Sequence, residues 1–222
     1  MKTIYEPIFI LSLLILSLLT SCEKEDEVIT NSISAGNIYC SDGSTVHPSN
    51  YEGSGKKAVG VIFWVNTDEN ASGTKALAVG LEDLNPALWA DTLVSVPNVS
   101  DDLLAFNGGS NTASIISWGI DESRKTTAIT NAYNYTPLGV VGWFVPSHGE
   151  AKYLYTQKNN VESSFKICGG KNFSEWYWTS TQDGSGNDNS KLNALLISLK
   201  EGNSTVSTKK NSFPVRPVIA IK

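Results

Sequence analysis

The sequence predicts an α+β fold, an antiparallel sheet flanked by two or more helices. Three observations predict it. Short apolar runs separated by Gly, Asn and Asp turns have the pattern of hairpin-connected strands. Between them lie stretches with apolar residues at helical spacing, one opened by the Ser147-x-x-Glu150 spacing of a capping box. No repeat or linker divides the region, so these elements share one domain.

Residues 1–21 read as a secretory signal. The run PIFILSLLILSLLTS follows Lys2, is short for a membrane span, and ends in small residues. Its last residues, Leu19-Thr20-Ser21 before Cys22, resemble the bacterial lipobox. That resemblance implies cleavage before Cys22 and lipidation of its thiol and new amine with chains of the palmitate kind. A plain signal peptide with a chance cysteine is the alternative. Each buried methylene contributes about 0.8 kcal/mol and one chain holds only marginally, so a multiply acylated Cys22 would stay in the membrane.

Residues 22–35 form an acidic and polar tether. Acidity just after the lipidated cysteine resembles the export signal of some Gram-negative surface lipoproteins, which implies an outer-membrane protein exposed at the cell surface. A merely solvated tether has the same composition. Residues 36–222 are the folded domain. The net charge of −5 and the lack of a basic stripe exclude nucleic acid as a partner. With Cys22 lipidated, Cys40 and Cys168 remain, either bridged or as two unrelated buried thiols.

The domain opens with a strand, a turn at Asp42-Gly43, and a second strand, all within residues 36–46. Ala58 to Val65 is apolar on both faces, which predicts a central strand. The polar TDENASGT turns the chain and KALAVGLED returns it. From Pro86 to Ser110 no period is clean. Asn111 is placed to cap a short helix ending at Gly119, and Ala128, Ile129, Ala132 and Tyr133 stripe a second, stopped by Pro137 and Gly139. Ala151, Leu154 and Tyr155 face inward on the helix opened by Ser147. Asn160 starts one more, with Val161 and Phe165 inward and Gly169-Gly170 as its left-handed stop. EWYWTSTQDG follows, then the apolar strand KLNALLISLK, a turn at Glu201-Gly202-Asn203, and STVSTKK as a polar edge strand. In FPVRPVIAIK two prolines remove ladder donors, which places that strand at an edge or bulge.

The order of GWFVPSHGE, YWTST, a strand, a Gly turn and a terminal VRPV resembles the C-type-lectin-like fold. The nearest branch is the C-terminal domain of collagen-like bacterial adhesins, related to the formylglycine-generating-enzyme fold. The likeness runs from about Gly36 to Lys222, with Val145 and Thr179 as modest departures. It implies adjacent N- and C-terminal strands, and a core-crossing YWTST strand in which Tyr177 or Trp178 buries its ring while Trp176 points the other way. A buried core strand is favoured over an aromatic ligand platform. Ser147, Glu150, Trp178 and Arg216 are structural on this reading, Arg216 being bonded to Glu150 or to carbonyls.

Catalytic chemistry is not expected. The only histidines, His47 and His148, accompany no nucleophile signature, and the cysteines lack the pattern of the formylglycine-generating enzymes. Too few His and Cys exist for zinc. Asp183, Ser185 and Asn187 alternate as in a calcium loop, but Asp188 replaces the required Gly and Ala194 the bidentate Glu. No metal and no cofactor are therefore expected. The resemblance places ligand recognition on the polar loops, with Trp176, Asp183, Asn187, Asn189, Asn203, Thr205, Ser207, Lys209 and Asn211 as the ligand-binding candidates. The functional expectation is a lipid-anchored surface module that binds or adheres to an extracellular protein or glycan. The alternative is a structural or tip subunit of a fimbria-like appendage.

Overall fold

The computed structural model describes residues 33–68, 73–186 and 189–222. The signal segment, Cys22 and most of the tether lie outside the described residues. In the domain, β1 (Ile38–Cys40) and β2 (Thr45–Val46) form the first hairpin, turned at Gly43 with φ +83°. A left-handed turn of this kind suits glycine, which has no Cβ to clash. β3 (Ala58–Val65) matches its expected range and lies between β1 and β4 (Ala76–Gly80). Register shifts leave Val59 and Phe63 as extra residues in β3. Its apolar side chains divide between two cores, Val61 and Phe63 facing one and Val59 and Ile62 the other. That division is why the strand reads as apolar throughout.

β5 (Ala87–Leu88) is the one strand of the irregular segment after β4, and two helices follow. α1 (Gly108–Asp121) starts three residues before Asn111, which is buried inside it, and Gly119 is internal rather than its end. The early start is tertiary in origin. A Cβ on Gly108 would lie 2.3 Å from Glu150 Oε2, so only glycine lets α1 approach this closely. α2 (Thr127–Tyr133) buries Ala128, Ile129 and Ala132, but Tyr133 is exposed, contrary to its place in the stripe. β6 (Trp143–Phe144) then leads to α3 (His148–Thr156) and α4 (Lys158–Cys168).

The capping box is present. Ser147 Oγ accepts from the Glu150 amide, and Glu150 Oε2 accepts from the Ser147 amide at 2.8 Å. The other carboxylate oxygen accepts from the Gly108 amide, so one side chain caps α3 and α1 together. Leu154, Val161 and Phe165 are buried beneath, at roughly 1.5–3 kcal/mol for each such side chain. α4 ends on Gly169 in the left-handed conformation, as expected.

β7 (Trp176–Gln182), β8 (Asn193–Ser198), preceded by α5 (Asn189–Leu192), and β9 (Ser204–Thr208) form a three-stranded sheet with β9 at its edge. Tyr177 and Trp178 both bury their rings, on opposite faces and in different cores. Trp176 shares the face of Trp178 and is half-buried, so this segment is a core strand lying between two packed layers.

β10 (Ser212–Phe213) pairs with β5, and β11 (Val218–Ile221) lies between β4 and β6. β11 is therefore internal to its sheet. Pro214 and Pro217 precede it, so they remove no donor from its ladder, and Pro217 contributes its carbonyl to the Gly80 amide at 2.8 Å. The large sheet runs β2-β1-β3-β4-β11-β6. The first and last strands thus share a sheet, with β3 and β4 between them rather than side by side. The architecture is α+β with antiparallel sheets.

Arg216 is buried. Its Nε lies 3.2 Å from Asp83 Oδ1, a second nitrogen donates to the Lys171 carbonyl, and the guanidinium sits near the Phe165 and Phe173 rings. Glu150 is not its partner, because that carboxylate is occupied by the two helix ends. Cys40 and Cys168 are free thiols packed at the same core, and burial pushes both thiols up from their ordinary value.

Candidate functional site

A cleft of about 520 Å³ opens where three segments distant in sequence meet. Asp101 and Leu103 come from the irregular chain before α1. Asp183, Gly184 and Ser185 come from the loop after β7. Leu195 on β8 and Ser204 to Val206 on the edge strand β9 complete it. Leu195 and Val206 are directly paired across β8 and β9, so their side chains lie on one face of the sheet and form an apolar floor.

Gly184 sets the width of one wall. A Cβ there would lie 2.6 Å from Asp101 Oδ2, so a bare backbone is what allows Asp101 to close against this loop. Asp183 is 97 % buried by its 3 % exposure, yet its carboxyl is held below the usual range. Burial alone would raise it; hydrogen bonds from Ser185 and from Asn193 outweigh that effect. Its donors are neutral, and no described cation forms an ion pair with Asp183 or Asp101.

His148 braces the cleft from behind. In the first turn of α3, its Nδ1 lies 2.8 Å from the Leu103 carbonyl oxygen and its Nε2 2.8 Å from Ser204 Oγ. The backbone amide of His148 donates to Thr181 Oγ1 at 2.9 Å. One imidazole therefore joins two cleft walls to the start of a helix.

Of the residues singled out from the sequence, Asp183 and Thr205 line this cleft. Asn203 is exposed in the turn just before β9. Ser207 and the exposed Asn211 bond to each other at 3.0 Å, away from the cleft. Trp176 packs on the core. Asn187 lies outside the described residues, as does the side chain of Asn189.

Lys209 corrects the sequence reading. It is fully buried, donating to the Val94 carbonyl at 2.8 Å and Gln182 Oε1 at 2.6 Å, with its ammonium 4.6 Å from the Trp89 ring centre. Burial pushes it down to about 7. It pins the irregular segment to β7 and cannot face a ligand. Asp101, Leu103, Leu195 and Val206 escaped the sequence reading, and His148 entered it only as a catalytic candidate without a nucleophile signature. Polar local composition marks Asp183 and Thr205, but nothing local says which distant loop folds against them.

A second, smaller cleft of about 260 Å³ lies against Trp64, Phe106 and Phe144 at the start of α1, with the Glu150 carboxyl at its lining. Burial pushes Glu150 up to about 7, against the two backbone amides that favour its ionised form. Among the described residues, no group of three or more His, Cys, Asp or Glu is placed to hold a metal ion.

No protein-family model matches the chain, and no curated protein matches it. Among solved structures, a fimbrial protein from Bacteroides ovatus is similar over 84 % of this chain, with a TM-score of 0.59 and 17 % sequence identity. The match covers 48 % of that protein, so this chain corresponds to about half its length. At this identity the likeness is one of fold.

Proposed function

We propose that this chain is a lipid-anchored subunit of a bacterial surface appendage, and that it recognises a partner through the cleft between β9 and the loops at Asp101 and Asp183. The observation that carries the reading is the cleft itself, walled by three separate segments over the paired Leu195 and Val206 of β8 and β9. The fold likeness to a fimbrial protein supports an appendage role. The lipobox-like ending before Cys22 supports an anchor, and the acidic tether supports display at the outer face of the outer membrane. The ordered motifs from GWFVPSHGE to VRPV support a distant C-type-lectin-like ancestry. The partner is an extracellular protein or glycan, and the role is binding rather than catalysis.

The test uses cells lacking the gene and complemented with variants. The wild-type chain is expected in the appendage fraction sheared from cells, and Cys22→Ser should release it from membranes. Val206→Trp fills the cleft at an exposed position. It should preserve the circular dichroism spectrum and surface display while abolishing attachment or assembly. A chain absent from the sheared fraction, or full function in Val206→Trp cells, would overturn the proposal.

A further inference from the structure

We infer that the cleft receives a basic side chain, lysine or arginine, from a protein partner. This rests on the proposed role of the cleft as the recognition site and names what enters it. The two kinds of surface in the cleft match the two parts of such a side chain. Leu195 and Val206 form a strip that suits an aliphatic stem, with Leu103 on the facing wall and both Leu103 and Val206 well exposed. Asp101 and Asp183 converge on the cleft at Gly184, where the missing Cβ permits their loops to meet.

The electrostatics favour a cation over a neutral ligand. Asp183 is nearly enclosed and its hydrogen-bond donors, the Ser185 amide and side chain and the Asn193 side-chain amide, are neutral and orient the carboxylate without cancelling its charge. Asp101 adds a second charge with no described counter-ion. Hydrogen bonds hold Asp183 ionised in the fold, and an incoming ammonium or guanidinium gains a charge-assisted contact with it and with exposed Asp101 that a neutral group does not. A neutral sugar hydroxyl could bond the carboxylates but would leave both charges uncompensated. An acidic ligand would be repelled. A volume of about 520 Å³ accommodates a long side chain with part of its backbone.

The test titrates the full chain in detergent micelles with acetyl-arginine amide and acetyl-lysine amide, read by calorimetry. Acetyl-citrulline amide, nearly the same shape as the arginine probe but neutral, is the control. The basic probes should bind at least about tenfold more tightly than citrulline, and high salt should weaken them. Asp101→Asn, at an exposed position, should remove most of that preference while leaving the thermal midpoint nearly unchanged. Equal binding of citrulline, an intact preference in Asp101→Asn, or uptake of calcium with no response to the basic probes would each overturn the inference. Attachment lost in Val206→Trp cells without binding of the basic probes would overturn this ligand and leave the recognition site standing. Probe binding with unimpaired Val206→Trp attachment would sustain the ligand and overturn the site's role in attachment.

Discussion

His148 Nε2 and Ser204 Oγ stand 2.8 Å apart, tying the first turn of α3 to the edge strand β9. The other ring nitrogen lies 2.8 Å from the Leu103 carbonyl oxygen. A carbonyl only accepts, so Nδ1 donates to Leu103, while the Ser204 hydroxyl can pair with Nε2 as donor or as acceptor. Both bonds end on cleft walls. His148→Ala should therefore cost about 1–3 kcal/mol of stability by losing two part-buried bonds, whereas Ser204→Ala loses one and should cost about 1 kcal/mol. Urea midpoints measure both. Equal costs would mean that the Leu103 contact contributes nothing.

Glu150 predicts a pH dependence. Burial raises its carboxyl from 4.5 to about 7, so the folded chain holds this proton more tightly than the unfolded chain does. The resulting stabilisation is complete below about pH 4.5 and is lost as pH rises through about 7, a swing on the order of 3 kcal/mol. Glu150→Gln cannot ionise and loses one of the two amide acceptors. Its absolute stability should be lower, but the gap between wild type and variant should narrow from pH 4 to pH 8. A gap that stays constant in denaturant titrations would show that Glu150 does not change its protonation between the two states in this range.

The parts of the fold that sequence revealed are those fixed by neighbours in the chain. The capping box at Ser147 and Glu150 depends on a spacing of three residues, and the stop at Gly169 on one backbone conformation. β3 announced itself because both of its faces meet apolar layers. The misread positions depend on distant contacts. Lys209 sits in a polar run that resembles a solvated edge, and only Trp89, Val94 and Gln182 together make a burial site for it. α1 begins at Gly108 because Glu150, far along the chain, caps it. The cleft was half legible for the same reason. Asp183 lies in a visibly polar loop and Thr205 in a visibly polar edge strand, while Asp101, Leu103 and His148 join them only through tertiary packing.

Lys209 predicts the opposite trend at alkaline pH. Burial lowers its ammonium from 10.5 to about 7. A base depressed in this way favours the folded state fully above about pH 10.5, and that advantage disappears as pH falls through about 7. Lys209→Met keeps most of the stem and does not titrate. The lost bonds to Val94 and Gln182 should lower the variant at every pH. Relative to wild type, however, its unfolding free energy should rise by roughly 4 kcal/mol as pH falls from 10.5 to 7. Chemical denaturation across this range measures it. A pH-independent difference would mean that the ammonium remains fully charged in the fold.

Gly202 separates backbone strain from steric conflict in the turn between β8 and β9. Its φ is +78°, and a Cβ there would lie 2.3 Å from Tyr155 Cε1. The left-handed conformation alone disfavours alanine by about 1 kcal/mol. The conflict with the ring should add about 1–3 kcal/mol, since a packed aromatic can move only by disturbing α3 beneath it. Gly202→Ala should thus lose about 2–4 kcal/mol, and Tyr155→Leu in the same chain should restore the steric part but not the backbone part. The double-mutant cycle is read from thermal or denaturant midpoints. Additive costs would show that Tyr155 yields freely, leaving backbone conformation as the sole requirement for glycine at this turn.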